Sequence, residues 1–246
     1  MMLDEHHLQA EISRRLSQDP NVRIFSIRQQ GATFWVKLTR IHEKWSDRFR
    51  GDPAEVLARE KNDLRALEAR GQAVPKVVAE GDGFFVTHDN GVALDILWTE
   101  KPDMRQQFAI EAAKALARLH SSNCIHGAPH LRNLTVTQDG VGFIDLERAL
   151  IGTAGPKDKA WDIGKFLYAL FGTGAEEALV AATRDAYRAE CAPEVFAELK
   201  RWQKKLQLWK LPIAVLAWHE RKWRPDRNPK IYRAYQQMMQ LDLRMA

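Results

Sequence analysis

The run Ile125-His126-Gly127-Ala128-Pro129-His130-Leu131-Arg132-Asn133, continued by Val141-Gly142-Phe143-Ile144-Asp145-Leu146-Glu147, decides how the rest of the chain is read. Its first half is polar and carries glycine and proline, the composition of a loop, and it ends on Asn133. Two short β-type runs follow, Leu134–Thr137 and Val141–Ile144, folded back at Asp139-Gly140. The second delivers Asp145 at the end of an apolar strand. An amide and a carboxylate placed in this way are oxygen ligands of the kind that suit Mg²⁺. Phosphoryl transfer asks little more of a protein: ligands that hold Mg²⁺ on the phosphates, and a carboxylate beside the attacking hydroxyl.

Upstream, Lys37 lies within Thr33-Phe34-Trp35-Val36-Lys37-Leu38, a strand-type run joined through a Gln30-Gly31 turn to a second one, Val22–Ile27. A lysine in an apolar strand is costly to bury unless an anion meets it; otherwise it is a snorkelling lysine on an edge strand. A helix is expected from Pro53, where proline suits the first turn, to near Gly71. Leu57, Leu64 and Leu67 mark its apolar stripe, and Glu60 falls on the same stripe. A core-facing carboxylate needs a cation, because removing the partner of a buried charge costs roughly 3–5 kcal/mol. Arg59 and Lys61 point elsewhere around the helix. A strand lysine followed by a core-facing helix glutamate is how kinases hold the α- and β-phosphates, with a purely structural ion pair as the alternative.

Outward from these residues, a short helix over Leu8–Leu16 should stop at Asp19-Pro20, and a charged stretch from Arg40 to Asp52 leads into the Pro53 helix. Short strands over Lys76–Ala79 and Phe84–Thr87 flank Gly81-Asp82-Gly83. The character then changes: Gln106–His120 reads as a helix with Phe108, Ala112, Ala115, Leu116 and Leu119 on one stripe, and everything after Lys157 reads as helical. Strands before helices predict an α+β fold, with a β-rich portion over residues 1–90 and a mainly helical one over 91–246.

With 45% apolar and 28% charged residues, the 246-residue chain reads as globular. Its apolar run Leu211–Trp218 is interrupted by Pro212 and falls far short of the roughly 20 residues that span a bilayer. The first residues lack an apolar signal core. Cys124 and Cys191 lack metal-type spacing, so a reduced, cytoplasmic protein is expected. The net charge of +5 fits nucleic acid, an anionic membrane or a phosphorylated substrate equally well.

The loop and strand together resemble the catalytic signature of small-molecule kinases with the protein-kinase fold, His-Gly-Asp-x-His-x-x-Asn followed by a strand ending Ile-Asp-Phe/Leu-Asp/Glu. Within that group the chain is most similar to the family that phosphorylates heptose or Kdo in the lipopolysaccharide core. Phe34-Trp35-Val36-Lys37, Ala58-Arg59-Glu60, Gly71-Gln72-Ala73-Val74-Pro75 and Asp145-Leu146-Glu147-Arg148-Ala149 carry the likeness over roughly residues 22–170. It implies a two-lobed kinase-like fold with ATP and Mg²⁺ between the lobes. Lys37 would contact the phosphates, Glu60 would orient it, and Asn133 and Asp145 would bind Mg²⁺. His126 resembles the histidine that braces the loop, His130 sits where small-molecule kinases also have histidine, and Asp162 in Trp161-Asp162-Ile163-Gly164 resembles the aspartate that anchors the loop backbone. The acceptor implied is lipopolysaccharide core glycolipid at the cytoplasmic face of the inner membrane, with no nucleic-acid partner.

Two departures qualify the likeness. Ala128 stands where the family has its catalytic aspartate, and an alanine neither accepts the hydroxyl proton nor orients the nucleophile, a loss of about 10²–10⁴ in rate. The chain is then either a natural pseudokinase or one in which the aspartate was replaced, and the intact remainder of the motif favours replacement. No glycine-rich loop precedes Lys37, so the Arg28-Gln29-Gln30-Gly31 turn is the segment left to cover phosphates, and Asp145-Leu146-Glu147 lacks the glycine of protein kinases.

Residues 200–230 hold ten Lys/Arg, two acids and four tryptophans: Trp202, Trp209, Trp218 and Trp223. Trp202 and Trp209 share a helical face. The segment reads either as a surface for anionic membrane and glycolipid or as a core helix with a solvated basic side. It argues against a cationic acceptor of the aminoglycoside or choline type. A protein kinase and a non-catalytic binding module are the remaining alternatives.

Overall fold

A computed structural model describes residues 4–39, 52–223 and 230–243. The charged stretch beginning at Arg40, up to Gly51, lies outside the described residues, as do the side chains of Trp209 and Trp223. The chain forms two compact units. The first takes in the chain to Gly91 and, from much further along, Phe143–Glu147; the second takes in Val92–Gly142 and everything from Arg148 onward.

In the first unit, helix α1 (Glu5–Gln18) starts at Asp4, whose carboxylate accepts the backbone N–H groups of His6 and His7. Strands β1 (Ile24–Gln29) and β2 (Ala32–Leu38) form a hairpin around Gln30-Gly31. Both turn residues have positive φ, 51° and 80°, as a two-residue hairpin turn requires. Helix α2 (Pro53–Glu68) is capped by Asp52 and buries Leu57, Glu60, Leu64 and Leu67. Strands β3 (Val77–Gly81) and β4 (Phe84–His88) complete a four-stranded sheet in the order β1-β2-β4-β3. One face of this sheet, Phe25, Ile27, Phe34, Val36, Leu38, Phe84 and Val86, packs with Leu8 and Ile12 of α1 into a core. Side-chain alternation therefore sends Lys37 to the opposite face.

The second unit opens with β5 (Val92–Ala93) and α3 (Leu94–Glu100), neither of which the sequence signals. Helix α4 (Arg105–Ser121) buries the expected apolar stripe. Strands β6 (Leu134–Thr137) and β7 (Gly140–Phe143) join β5 in a three-stranded sheet of order β5-β6-β7. Helices α5 (Pro156–Gly172), α6 (Glu177–Glu190), α7 (Pro193–Leu206), α8 (Lys210–Trp223) and α9 (Lys230–Gln240) follow. Among the described residues no helix is long and apolar enough to cross a membrane.

Of the two readings of residues 200–230, Trp202 follows the core-helix one. Its ring meets Trp161 edge-on at 5.5 Å and lies so close to Gly164 that a Cβ there would be 2.8 Å from it. Trp202 belongs to the packing of α7 on α5, not to an outer surface.

Candidate active site

Strand β2 is paired on both sides, with β1 and β4, so Lys37 is not on an edge strand. Its side chain is only 14% exposed and that of Glu60 4%. The ammonium meets both carboxylate oxygens of Glu60, at 2.5 and 2.6 Å. Two further carboxylates stand at 3.5 Å, Asp145 Oδ1 and Glu147 Oε1. Glu147 also accepts from the Arg23 guanidinium at 3.1 Å. Burial works against the charge on Lys37, but Glu60, Asp145 and Glu147 together outweigh it and push its pKa up. Burial also raises Glu60, with Asp145 and Glu147 acting in the same sense against the opposing pull of Lys37. Glu147 is opposed by burial yet held low by Lys37 and Arg23. Among the described residues, three carboxylates, Glu60, Asp145 and Glu147, face two cations here, Lys37 and Arg23.

Asp145 has a left-handed backbone, φ 60°, uncommon for a residue other than glycine, and its side chain is 47% exposed. The preceding strand returns to the first unit through a main-chain hydrogen bond: Phe143 N–H donates to the Ala73 carbonyl at 2.8 Å.

In the second unit, the loop from His126 to Asn133 is fixed by α5. Asp162, fully buried, accepts the backbone N–H of His126 at 2.9 Å and that of Gly127 at 2.8 Å. One turn along, Lys165 Nζ donates to the Gly127 carbonyl at 2.6 Å and lies 5.4 Å from the Trp161 ring centre. The Gly127 peptide is thus gripped on both sides by one helix. Gly127 has φ 82°, and a Cβ there would stand 2.0 Å from the Arg148 carbonyl oxygen, so only glycine fits.

Within the loop, Ala128 is half-buried. Its carbonyl accepts the Asn133 side-chain amide at 3.0 Å and the His130 N–H at 2.8 Å. His126, fully buried, accepts the Ala128 N–H on Nδ1 and turns Nε2 to the Asn133 carbonyl, both at 3.4 Å. Asn133 is buried, and one N–H of its side-chain amide is taken by the Ala128 carbonyl. His130 is exposed; partial burial and then the positive charges of Arg132, His126, Lys165 and Arg148 lower its pKa. Burial lowers Lys165 too, with Arg148 adding to it and Asp162 opposing.

Sequence reasoning missed the layer beneath. His120 bridges Tyr187 and Asp162, with Nδ1 2.6 Å from the Tyr187 hydroxyl and Nε2 3.2 Å from Asp162 Oδ2. Its only signal was a histidine four residues after Leu116 on the buried stripe of α4. Lys165 and Arg23 carry no sequence signal, and Glu147 stands in the motif without a role of its own.

Of the residues that the sequence singles out, then, Lys37, Glu60 and Asp145 come together in the first unit, and His126, Ala128, His130 and Asn133 share one loop in the second. The solved structure of WaaP in complex with acyl carrier protein aligns over 85% of this chain and 84% of that one, with a TM-score of 0.50 and 20% identity. The chain has a kinase-like fold. The mixed α+β organisation, a β-sheet region followed by a helical remainder, agrees with it. A divergent kinase lacking the glycine-rich loop, which regulates membrane ultrastructure of the Toxoplasma parasitophorous vacuole, aligns over 77% of the chain and 81% of its own, at 19% identity and a TM-score of 0.48. An uncharacterised protein of Haemophilus influenzae is 27% identical over 150 residues, 59% of this chain; the match spans 62% of that relative's length. No family model matches.

Proposed function

We propose that the chain is built as an ATP-dependent phosphotransferase whose acceptor is a sugar hydroxyl of lipopolysaccharide core, heptose or Kdo, met as a peripheral protein at the cytoplasmic face of the inner membrane. The observation that carries the reading is the buried Lys37–Glu60 pair with Asp145 3.5 Å from the lysine. Lys37 would hold the α- and β-phosphates while Glu60 fixes its position.

The donor set fits Mg²⁺. Among the described residues carboxylates outnumber cations around Lys37, which favours a further cation there, and Asp145 is the exposed member. Asn133 in the second unit carries an amide oxygen of the same hard type. When bound, the ion would neutralise charge on the phosphates. His126 braces the loop, and His130 is the exposed imidazole of that loop, a candidate for meeting the acceptor. Ala128 supplies no base, so the chain as it stands binds nucleotide but transfers phosphate poorly.

Thermal melting with ATP and Mg²⁺ tests the nucleotide part, because a ligand that binds only the folded state raises the melting temperature. The parent should shift, and Lys37→Ala and Asp145→Ala should lose the shift. A parent that melts unchanged at millimolar nucleotide overturns the reading.

A further inference from the structure

Helix α8 keeps an apolar stripe on its outer side. Leu211, Val215 and Trp218, spaced by four and three residues, are 77%, 62% and 62% exposed, and Leu208 in the turn before them is 80% exposed. Spacings of this kind keep the side chains on one face. Ile213, on the other side, is half-buried, and α8 packs against α9. A contiguous exposed apolar stripe is the mark of an interaction surface.

Charge indicates the partner. From Leu199 to His219 there is no acidic residue, while Lys200, Arg201, Lys204, Lys205 and Lys210 fall in the same run. Arg201 is paired with Glu198, but Lys204, Lys205 and Lys210 are exposed with no resolved ion pair among the described residues. At the far end Lys222 Nζ lies 5.4 Å from the Trp218 ring centre. An apolar stripe flanked in the chain by lysines, with a tryptophan at its end, matches a helix lying in the headgroup plane, where lysine stems cover apolar surface and their ammonium groups reach phosphate.

We propose that the outer face of α8 and of the turn before it, formed by Leu208, Leu211, Val215 and Trp218, together with Lys204 and Lys205 at the end of α7 and Lys210 and Lys222 of α8, docks onto an anionic lipid bilayer. This gives the peripheral location proposed above its surface, and it rests on that reading only for where the acceptor is met.

The test is sedimentation of the full chain with phosphatidylcholine vesicles, with and without phosphatidylglycerol. Binding is expected only with the anionic lipid and should weaken as salt is added, since surface attraction is screened. Leu211→Ser with Val215→Ser should weaken it about tenfold or more through lost apolar burial. Lys204→Glu with Lys205→Glu and Lys210→Glu should abolish it. On brominated-lipid vesicles the parent should lose emission that Trp218→Phe does not lose, a readout independent of the weakened variants. All the substituted side chains are exposed, so each variant should melt with the parent. Absence of binding to anionic vesicles overturns the proposal. So do equal binding to neutral vesicles, insensitivity to the α8 changes, or an α8 face that is covered instead by a soluble acidic protein. The ATP-dependent melting shift is a separate measurement, so vesicle binding without that shift removes the kinase reading alone, and the shift without vesicle binding removes this surface alone.

Discussion

At Lys37 the charge count makes a specific demand. The lysine is the main cation for Glu60, whose carboxylate is almost fully removed from water. Lys37→Met should therefore cost about 3–5 kcal/mol of stability, the usual penalty for stranding a buried charge. Lys37→Met combined with Glu60→Leu should regain most of that, because an apolar pair of similar volume replaces the ion pair without an orphan. Nucleotide binding should stay lost in both. Urea unfolding together with the ATP-dependent melting shift separates the two effects, and a double variant that recovers nucleotide binding would show that Lys37 meets no phosphate. The pairing was legible in the sequence because a glutamate on a leucine stripe has to find a cation. Arg23–Glu147 was not, since 124 residues separate the partners, and Arg23 alone looks like an ordinary surface charge.

Ala128 is the second residue with a sharp expectation. Its carbonyl and N–H are held by Asn133, His130 and His126, so the main chain there is fixed without help from the side chain. Ala128→Asp should then place a carboxylate without rebuilding the loop. Turnover with dephosphorylated lipopolysaccharide core and labelled ATP should rise about 10²–10⁴-fold, the worth of a positioned base, with little change in nucleotide affinity. Ala128→Asn restores size without basicity and should gain far less. An Ala128→Asp protein that binds ATP yet transfers nothing to any core sugar would refute the acceptor assignment; transfer to an aminoglycoside, choline or a protein instead would redirect it.

At the scale of elements, α5 is the helix that sets the loop. Asp162 holds two backbone N–H groups and His120, and those partners keep its carboxyl below the ordinary value of 3.8 although burial pulls the other way. A folded-state pKa below the unfolded one means that Asp162 stabilises fully above the ordinary value and that this contribution fades as pH falls through the depressed one. Asp162→Asn keeps one acceptor but turns an NH₂ toward a backbone N–H, and should cost about 1–3 kcal/mol at neutral pH. The difference between parent and variant should shrink from pH 5 toward pH 2, as urea unfolding would read it; a difference constant across that range would mean Asp162 does not titrate with folding. Little of this layer was legible. Trp161-Asp162-Ile163-Gly164 could be matched to an anchor, but the His120–Asp162 and His120–Tyr187 links span 42 and 67 residues and leave no periodic trace. The strand β5 is two residues long and exists by pairing with β6, so no alternation precedes it. The hairpin at Gln30-Gly31 and the proline start of α2 were legible because turn and cap chemistry is local.

For the whole molecule, the chain's return to its first unit matters most. Phe143–Glu147 belongs with the residues up to Gly91, although half a hundred residues of the second unit intervene. A division read from composition, at residues 90 and 91, keeps that segment with the helical portion, because a five-residue return gives no compositional signal. The segment brings Phe143 and Leu146, both fully buried, the main-chain bond to Ala73 and the carboxylates at Lys37. Two buried apolar side chains of this size are worth about 1.5–3 kcal/mol each, a large share of the roughly 5–15 kcal/mol that holds a domain folded. A fragment ending at Gly91 should therefore melt well below the parent, with a broad transition, when followed by circular dichroism. Co-expression with residues 92–246 should restore the parent's melting and, with Asp145 present again, the ATP-dependent shift. A fragment that melts as sharply and as high as the intact chain would show that Phe143–Glu147 is no integral part of the first unit, and would put the boundary back where composition alone draws it.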